Sequence, residues 1–378
     1  MKRRIFALLT LMVMLLTFAA SAETEIDRTG DRKIDLQEVT ENTVPEGISP
    51  TTGLELSTYT VPEGFTGMAL TGRYLPMMVQ VGNDEGGLEW RAPWGLNYAD
   101  VVYELPLYKY GATRFTGVFN DIVPDSVGFV RSARVGNVWL WKEWGAGFAF
   151  YGQQETPGSD VVEEFKKLGH YATNDPILFS GMVGKNKAWY KYYTAREGLK
   201  NPYNVDANLS GMYSLIPEDY VAPNHTFKFA DEPLTGDAAT EVLIQWTNED
   251  ELYGAKLLYN ADQNVYERYV RVSGKRYEPW VELDNKEKIT FTNVIIQFID
   301  LTWNRGMVNA PIVEMVGEGN ADFFMNGQHA GGYWKRADMD SRTVYYGPDG
   351  NEMELQPGKT LVIFFPKDST EERHIIYQ

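Results

Sequence analysis

Two arginines bracket a serine in the first half of the chain, at Arg131, Ser132 and Arg134. Residues 127–131 form an apolar run typical of a strand, and the apolar residues that follow have helical spacing. Ser132 is therefore predicted to cap a helix that continues through Trp144. Two guanidinium groups beside the free N–H groups of a first helical turn could bind one anion, such as a carboxylate or a phosphate.

Glu104 and Arg114 fall in two neighbouring predicted strands and would complete this pocket, by orienting an arginine or by contacting the ligand. The same residue types also fit an architectural role, in which Arg131 and Arg134 are buried partners of Glu104 and Asp100. A guanidinium group serves both roles with the same geometry, so the sequence leaves both interpretations open.

Tyr151 is a candidate for the rim of the same cleft. It ends a predicted strand at 147–151 and precedes a predicted helix that begins at Asp160, runs to Leu168 and stops at Gly169. Loops after strands often contact ligands, although the sequence favours an ordinary polar loop for this segment, so Tyr151 is only a rim candidate.

Signatures of catalysis are missing from the sequence. It has no cysteine, no G-x-S-x-G or S-x-x-K motif, and neither a Walker loop nor a dinucleotide fingerprint. A pair of carboxylates is all that glycoside hydrolysis requires, and 52 acidic residues leave that route open, with Glu104 as the best candidate acid or base. The chain is accordingly expected not to be an enzyme, with a carboxylate hydrolase as the alternative.

No metal or other cofactor is predicted. The four histidines lack the i, i+4 spacing of a zinc site. Residues 27–38 (DRTGDRKIDLQE) resemble an EF-hand calcium loop, but Arg32 stands where the sharp turn favours glycine. A solvated acidic segment is the alternative interpretation.

The N-terminus has the pattern of a secretory signal. Lys2, Arg3 and Arg4 precede an apolar run at 5–18, and small residues at 20–22 form a cleavage site. The run is shorter than the roughly 20 residues that span a bilayer. Residues 1–22 are therefore predicted to be a removed signal peptide, which implies an extracellular or cell-envelope location with no membrane-spanning segment after cleavage.

The charge of the chain excludes several partners. Its formal charge is −17, and removing the three basic residues of the signal makes it −20. Such a surface repels nucleic acid, and nucleotides are not expected as ligands. The absence of cysteine leaves stability to burial and hydrogen bonding.

The pattern of elements predicts an α+β protein, with a mixed α/β N-terminal domain followed by an all-β C-terminal domain. After residue 241 the sequence pattern predicts a series of strands and turns, including a hairpin turn at Asn326-Gly327. The predicted division comprises the signal peptide (1–22), a polar tether or arm (23–72), the N-terminal domain (73–206), a linker (207–240), the C-terminal domain (241–368) and a tail (369–378).

Several short sequence motifs resemble those of the YerB-like family of bacterial exported lipoproteins. In the first half they are ADVVYE at 99–104, TRF at 113–115 and VGFVRSAR at 127–134; in the second, NVIIQ at 293–297, GEG at 317–319, WKR at 334–336, SRT at 341–343 and PGKT at 357–360. The resemblance covers about 73–367 and implies two domains of unknown function. It also implies a lipid-anchor cysteine, which this chain lacks.

These observations predict a noncatalytic envelope protein. Its arginine-centred cleft would recognise an anionic cell-wall fragment or an envelope protein.

Overall fold

The computed structural model describes residues 23–40, 43–83, 92–108, 111–246, 254–273, 276–307, 309–367 and 373–378. The predicted signal peptide at 1–22 lies outside them. None of the helices within these ranges has the length and apolar character that crossing a membrane requires.

The described chain is mostly β, as the many short apolar runs predict. In the first part the strands are β1 Thr24–Glu25, β2 Met77–Gly82, β3 Val101–Pro106, β4 Thr113–Phe119, β5 Val127–Gly128, β6 Gly147–Phe150, β7 Glu155–Thr156, β8 Ser159–Asp160, β9 Leu178–Ser180, β10 Tyr193–Ala195, β11 Val205–Ala207, β12 Lys228–Phe229 and β13 Asp237–Ala238. In the second part they are β14 Glu241–Gln245, β15 Gly254–Asn260, β16 Val265–Ser273, β17 Arg276–Pro279, β18 Thr290–Phe291, β19 Asn293–Ile299, β20 Leu301–Trp303, β21 Pro311–Val313, β22 Gly317–Met325, β23 Gln328–Arg336, β24 Val344–Tyr346, β25 Glu354–Leu355, β26 Thr360–Pro366 and β27 His374–Tyr377.

One large sheet contains strands from both halves of the chain. Its order is β13-β23-β22-β19-β26-β3-β4-β2-β6-β9, with β24 beside β23. The halves meet where β26 pairs in parallel with β3, from Thr360 opposite Val101 to Ile363 opposite Glu104. Every residue of these two strands is buried, as expected where both faces of a sheet are covered. The division of the chain at 207–240 stays a prediction, and main-chain pairing joins its two sides.

A second sheet covers one face of the first. Its order is β1-β27-β14-β15-β16-β17, with β18 on β16. The contact includes Phe115 of the large sheet and Trp280, whose ring centroids are 4.5 Å apart. On the opposite face, Trp144 donates to the Tyr103 hydroxyl at 3.0 Å. The alternation of apolar and polar residues at 99–107 is typical of a strand with Asp100 and Glu104 on its polar face. Both residues are nevertheless buried, because the second sheet and an N-terminal segment cover that face.

The α-helices within the described residues all lie before 214. They are α1 Met68–Thr71, α2 Val135–Trp144, α3 Val161–Lys167 and α4 Leu209–Tyr213, and short 3₁₀ turns occur at Leu56–Thr58, Leu96–Tyr98, Tyr190–Tyr192 and Asn304–Gly306. The helix predicted from Asp160 is confirmed, because the Asp160 side chain accepts from the N–H groups of Val162 and Glu163 at 2.8 and 3.0 Å. The cap predicted for α2 is wrong. Arg134 rather than Ser132 precedes the first helical residue, since 131–133 are held in extended pairing.

Parts of the segment predicted as an arm are packed. β1 pairs with β27, which also occupies the predicted tail. Ser49, Thr51 and Thr52 are buried, and their hydroxyl groups donate to the carboxylates of Asp100 and Asp121. The polar composition of this segment suggested loose packing, but short hydroxyl side chains can be buried when carboxylates accept from them.

Candidate functional site

The backbone of residues 130–134 enters the large sheet between the carboxyl ends of β2 and β6. The Arg131 N–H donates to the Gln80 carbonyl at 2.8 Å, and the Arg131 carbonyl accepts from the Tyr151 N–H at 3.1 Å. β2, β6 and β9 run parallel, so their carboxyl ends share one edge. In sheets with parallel strands, this edge is the usual place for ligands.

The Arg131 side chain lies against aromatic rings. Its guanidinium carbon is 5.6 Å from the centroid of Tyr203 and 5.9 Å from that of Phe129, and the residue is half-buried. Within the described part of the chain, no carboxylate pairs with Arg131. The rings orient a cation whose charge is not neutralised by the described residues.

Arg134 has a similar charge environment. Its Nη1 donates to the carbonyls of Ala133 at 3.0 Å and Ser132 at 3.3 Å, while its buried Nε has no acceptor among the described residues. Burial, followed by the charge of Arg131, lowers the pKa of Arg134 to about 10. Because a neighbouring positive charge disfavours the guanidinium, a bound anion would stabilise it.

Arg114 and Ser132 support the segment from within. The Arg114 side chain is buried, and its Nη1 donates to the Ser132 carbonyl at 2.6 Å. Arg114 and Arg134, together with Gln80 and Asn137, line a cavity of about 10 Å³. This cavity has room for roughly one water molecule. Arg114 therefore positions the arginine segment, whereas Arg131 and Arg134 are more exposed than Arg114.

Tyr151, predicted at the rim of the cleft, directly follows β6 and donates its N–H to the Arg131 carbonyl. A hydrogen bond with the Tyr190 side chain, followed by burial, raises the pKa of Tyr151. Its ring meets Tyr193 edge-on, with centroids 5.5 Å apart. The site thus continues from Arg131 through Tyr151 to the loop after β9.

Glu104 is separate from this site. It is fully buried, and its Oε1 accepts from the Thr113 hydroxyl at 2.7 Å and from Arg268 Nη2 at 3.2 Å. The sequence placed Glu104 in the arginine pocket because the strand that carries Arg268 is 164 residues away along the chain. A carboxylate sealed against an arginine has no route to a substrate.

The architectural alternative for the arginines also assigned them the wrong partners. Asp100 Oδ2 accepts from the Thr51 hydroxyl at 2.8 Å and from the Asn120 N–H at 2.9 Å. Among the described residues, neither Asp100 nor Glu104 forms an ion pair with Arg131 or Arg134. The described residues therefore do not supply the acidic partners that would make the arginine pair a closed structural network.

Sequence reasoning missed Arg268 and Tyr190. Arg268 lies on the same face of its strand as the buried Tyr266 and Val270. Its position in the two-residue alternation of the strand could therefore have predicted that it is buried. Tyr190 lies in a loop without period, and its contact with Tyr151 depends on how β6 and β9 pair, which no local pattern shows.

No metal centre is recognisable in the described ranges, where no group of three or more His, Asp or Glu side chains is arranged to hold an ion. In the EF-hand-like segment, Asp27 Oδ1 accepts from the N–H groups of Thr29 and Gly30. Arg32 donates to both carboxylate oxygens of Asp322, at 2.8 and 2.9 Å. This segment thus docks on β22 through the residue that departs from the calcium-loop pattern.

The architecture is that of a two-domain protein in which an arginine segment lies at the carboxyl edge of a shared sheet. The profile described as "Protein of unknown function (DUF3048) N-terminal domain" matches residues 65–214, and that of the corresponding C-terminal domain matches 242–362. The chain belongs to this YerB-like two-domain family.

A solved relative supports the fold. The crystal structure of the YerB protein from Bacillus subtilis superposes with a TM-score of 0.64 at 19% identity, covering 84% of this chain and 96% of that one. None of the curated proteins compared with the sequence matches it. At this identity the likeness establishes the fold alone.

Proposed function

We propose that this chain is an exported cell-envelope protein that binds an anionic ligand without catalysing a reaction. The ligand is an anionic cell-wall fragment or an acidic surface of an envelope protein, and Arg131 and Arg134 are the groups that bind it. The signal-like residues 1–22 support export, and we further infer the mixed N-terminal and all-β C-terminal division.

The observation that carries this proposal is the uncompensated arginine pair. In a chain of formal charge −17, two adjacent guanidinium groups lie at a sheet edge with no described carboxylate beside them. Keeping like charges close costs free energy, which an incoming anion offsets.

The rival function, a carboxylate hydrolase, loses its best candidate residue. Glu104 is buried against Arg268 and Thr113, so it cannot exchange protons with a bound substrate. Incubating the protein with peptidoglycan and analysing released muropeptides by mass spectrometry tests this rival directly. We expect no release, and release that is lost in a folded Glu104→Gln variant would overturn this assignment.

The binding proposal is tested by capture on purified wall polymers and on envelope extracts. The native protein is compared with Arg131→Ala plus Arg134→Ala, which we expect to reduce capture at least about tenfold because two charge-assisted contacts are lost. The matched control is Arg276→Ala plus Lys335→Ala, which removes the same charge from β17 and β23.

Circular dichroism and the unfolding midpoint show whether each variant is folded. Equal capture by the native protein and the folded arginine variant would refute the site. An equal loss in the control variant would show that only net charge matters.

A further inference from the structure

The loop that follows β9 has the opposite charge to the rest of the chain. Residues 185–203 contain five basic and one acidic residue, interleaved with Trp189, Tyr190, Tyr192, Tyr193 and Tyr203. A basic segment on so acidic a protein is an electrostatic exception, and it lies beside the arginine site.

Some lysines of this chain form ion pairs, whereas others, including Lys33 and Lys166, have no carboxylate partner among the described residues. Lys142, Lys228 and Lys335 each pair with a carboxylate, at 2.7, 2.7 and 3.2 Å. Lys185, Lys191 and Lys200 are exposed, and no carboxylate in the described ranges pairs with them. In a protein with excess acid, cations that recur within residues 185–203 without a described carboxylate partner point to an external anion.

Aromatic rings accompany these cations. The Lys191 ammonium lies 4.8 Å from the centroid of Tyr192, and the Tyr190 side chain is near enough to Tyr151 to raise its pKa. Tyr190 and Tyr192 are half-buried, so each ring retains an accessible part. We call Lys185, Tyr190, Lys191, Tyr192 and Lys200 the lysine–tyrosine ridge.

The ridge adjoins Arg131 on two sides. On one side, the Tyr151 N–H donates to the Arg131 carbonyl, and the Tyr190 side chain is near enough to Tyr151 to raise its pKa. On the other, Arg131 lies over Tyr203, whose N–H donates to the Lys200 carbonyl at 2.7 Å. Tyr190 and Lys200 of the ridge thus each neighbour a residue that contacts Arg131, and we take the ridge and the arginines together as one basic and aromatic surface.

We propose that this surface binds an extended anionic polysaccharide, with one acidic group on Arg131 and Arg134 and further sugar units along the lysine–tyrosine ridge. This inference rests on the proposed function and specifies its ligand class. A polysaccharide fits because aromatic rings pack against the C–H faces of sugars while ammonium groups bind the acidic substituents. An acidic peptide would use the cations but not the rings.

The test measures binding of defined oligouronates, which carry one carboxylate per sugar, to the whole mature protein by calorimetry at low salt. The probes are a dimer and an octamer of the same uronate. We expect the octamer to bind at least about tenfold more tightly than the dimer, because it reaches the ridge as well as the arginines.

Variants of the ridge show which side chains give the octamer its higher affinity. Lys185→Gln plus Lys191→Gln plus Lys200→Gln should reduce octamer affinity about tenfold and leave dimer affinity unchanged. The matched control neutralises Lys33, Lys166 and Lys335 in the same way. Tyr190→Phe should keep octamer binding because the ring remains, whereas Tyr190→Leu should lose several-fold.

The possible outcomes distinguish the polysaccharide proposal from the broader proposal that Arg131 and Arg134 bind an anion. Dimer binding that depends on Arg131 and Arg134, without any gain for the octamer, would refute the ridge and leave the arginine site intact. Equal affinity for poly-glutamate or single-stranded DNA of matched charge would refute the sugar class. Absence of binding to every oligouronate would also refute the ridge proposal, and inorganic phosphate then tests the arginine site separately.

Discussion

Arg268 Nη2 lies 3.2 Å from Glu104 Oε1, and solvent reaches neither side chain. Glu104 belongs to β3 of the large sheet, and Arg268 to β16 of the second sheet. The guanidinium of Arg268 also lies 4.9 Å from the Phe115 ring and 4.7 Å from the Trp280 ring. The pair therefore joins the two sheets at the centre of the molecule.

Replacing Glu104 by Gln should strongly destabilise the protein. The change leaves the buried Arg268 charge unpaired, which typically costs about 3–5 kcal/mol. Urea unfolding followed by circular dichroism measures the loss. Arg268→Met combined with Glu104→Gln should be more stable than the sum of the single losses predicts, because both charges are then absent. Strictly additive losses would show that the pair is not coupled.

Glu143 makes folding sensitive to acid. Its Oε1 accepts from His225 Nε2 at 3.0 Å, and its Oε2 lies 3.1 Å from Arg336 Nη1. Burial alone would raise the pKa of Glu143, but Arg336 and then His225 hold it at about 2. The carboxylate therefore contributes stability above its ordinary pKa of 4.5, and this contribution is lost as the pH falls towards 2.

We expect the free energy of unfolding to drop by roughly 3 kcal/mol across that window. Glu143→Gln should lose most of this slope, as measured by urea unfolding at several pH values. Glu318→Gln, on the surface of β22, should keep it. An unchanged slope in Glu143→Gln would assign the acid sensitivity to other groups.

Asp100 should act in the opposite direction. Burial, and then the charge of Asp121, raise the pKa of Asp100 well above its ordinary value of 3.8. The folded state thus holds a proton that the unfolded state releases, so this carboxyl favours folding most at pH below 3.8 and less as the pH rises through its folded pKa.

Asp100→Asn removes this titration and keeps an oxygen that can accept from Thr51 and Asn120. Relative to the native protein, the variant should gain stability as the pH rises from about 4 to about 8, as measured by urea midpoints. A difference that stays constant with pH would contradict a raised pKa at this position.

Local patterns predicted much of the fold. Features predicted from the sequence include the apolar strands such as β26, the cap of α3 at Asp160 and the turn at Asn326-Gly327. Both residues of that turn have the positive φ it requires, at 54° and 68°. In each case the determinant is local, as a period, a cap or a left-handed turn.

The candidate site could be predicted only in part from the sequence, because its geometry depends on pairing between segments that are distant along the chain. The spacing of Arg131 and Arg134 predicts an anion site, which stays a prediction, whereas Glu104 pairs with Arg268, 164 residues away along the chain. The burial of Thr51 likewise depends on a carboxylate 49 residues distant. Ion pairs and hydrogen bonds of this kind leave no periodic trace in a sequence.

The two arginines that flank Ser132 in space should differ in their effect on stability. The buried Arg114 side chain donates to the Ser132 carbonyl at 2.6 Å, so Arg114→Met should cost about 2 kcal/mol or more. Arg131 rests on Tyr203 and Phe129 without a described carboxylate partner, so Arg131→Met should cost less than about 1 kcal/mol. Thermal and urea unfolding of the two variants measure this contrast. A side chain that the fold does not need is available for a ligand, whereas equal losses would mean that Arg131 is part of the architecture.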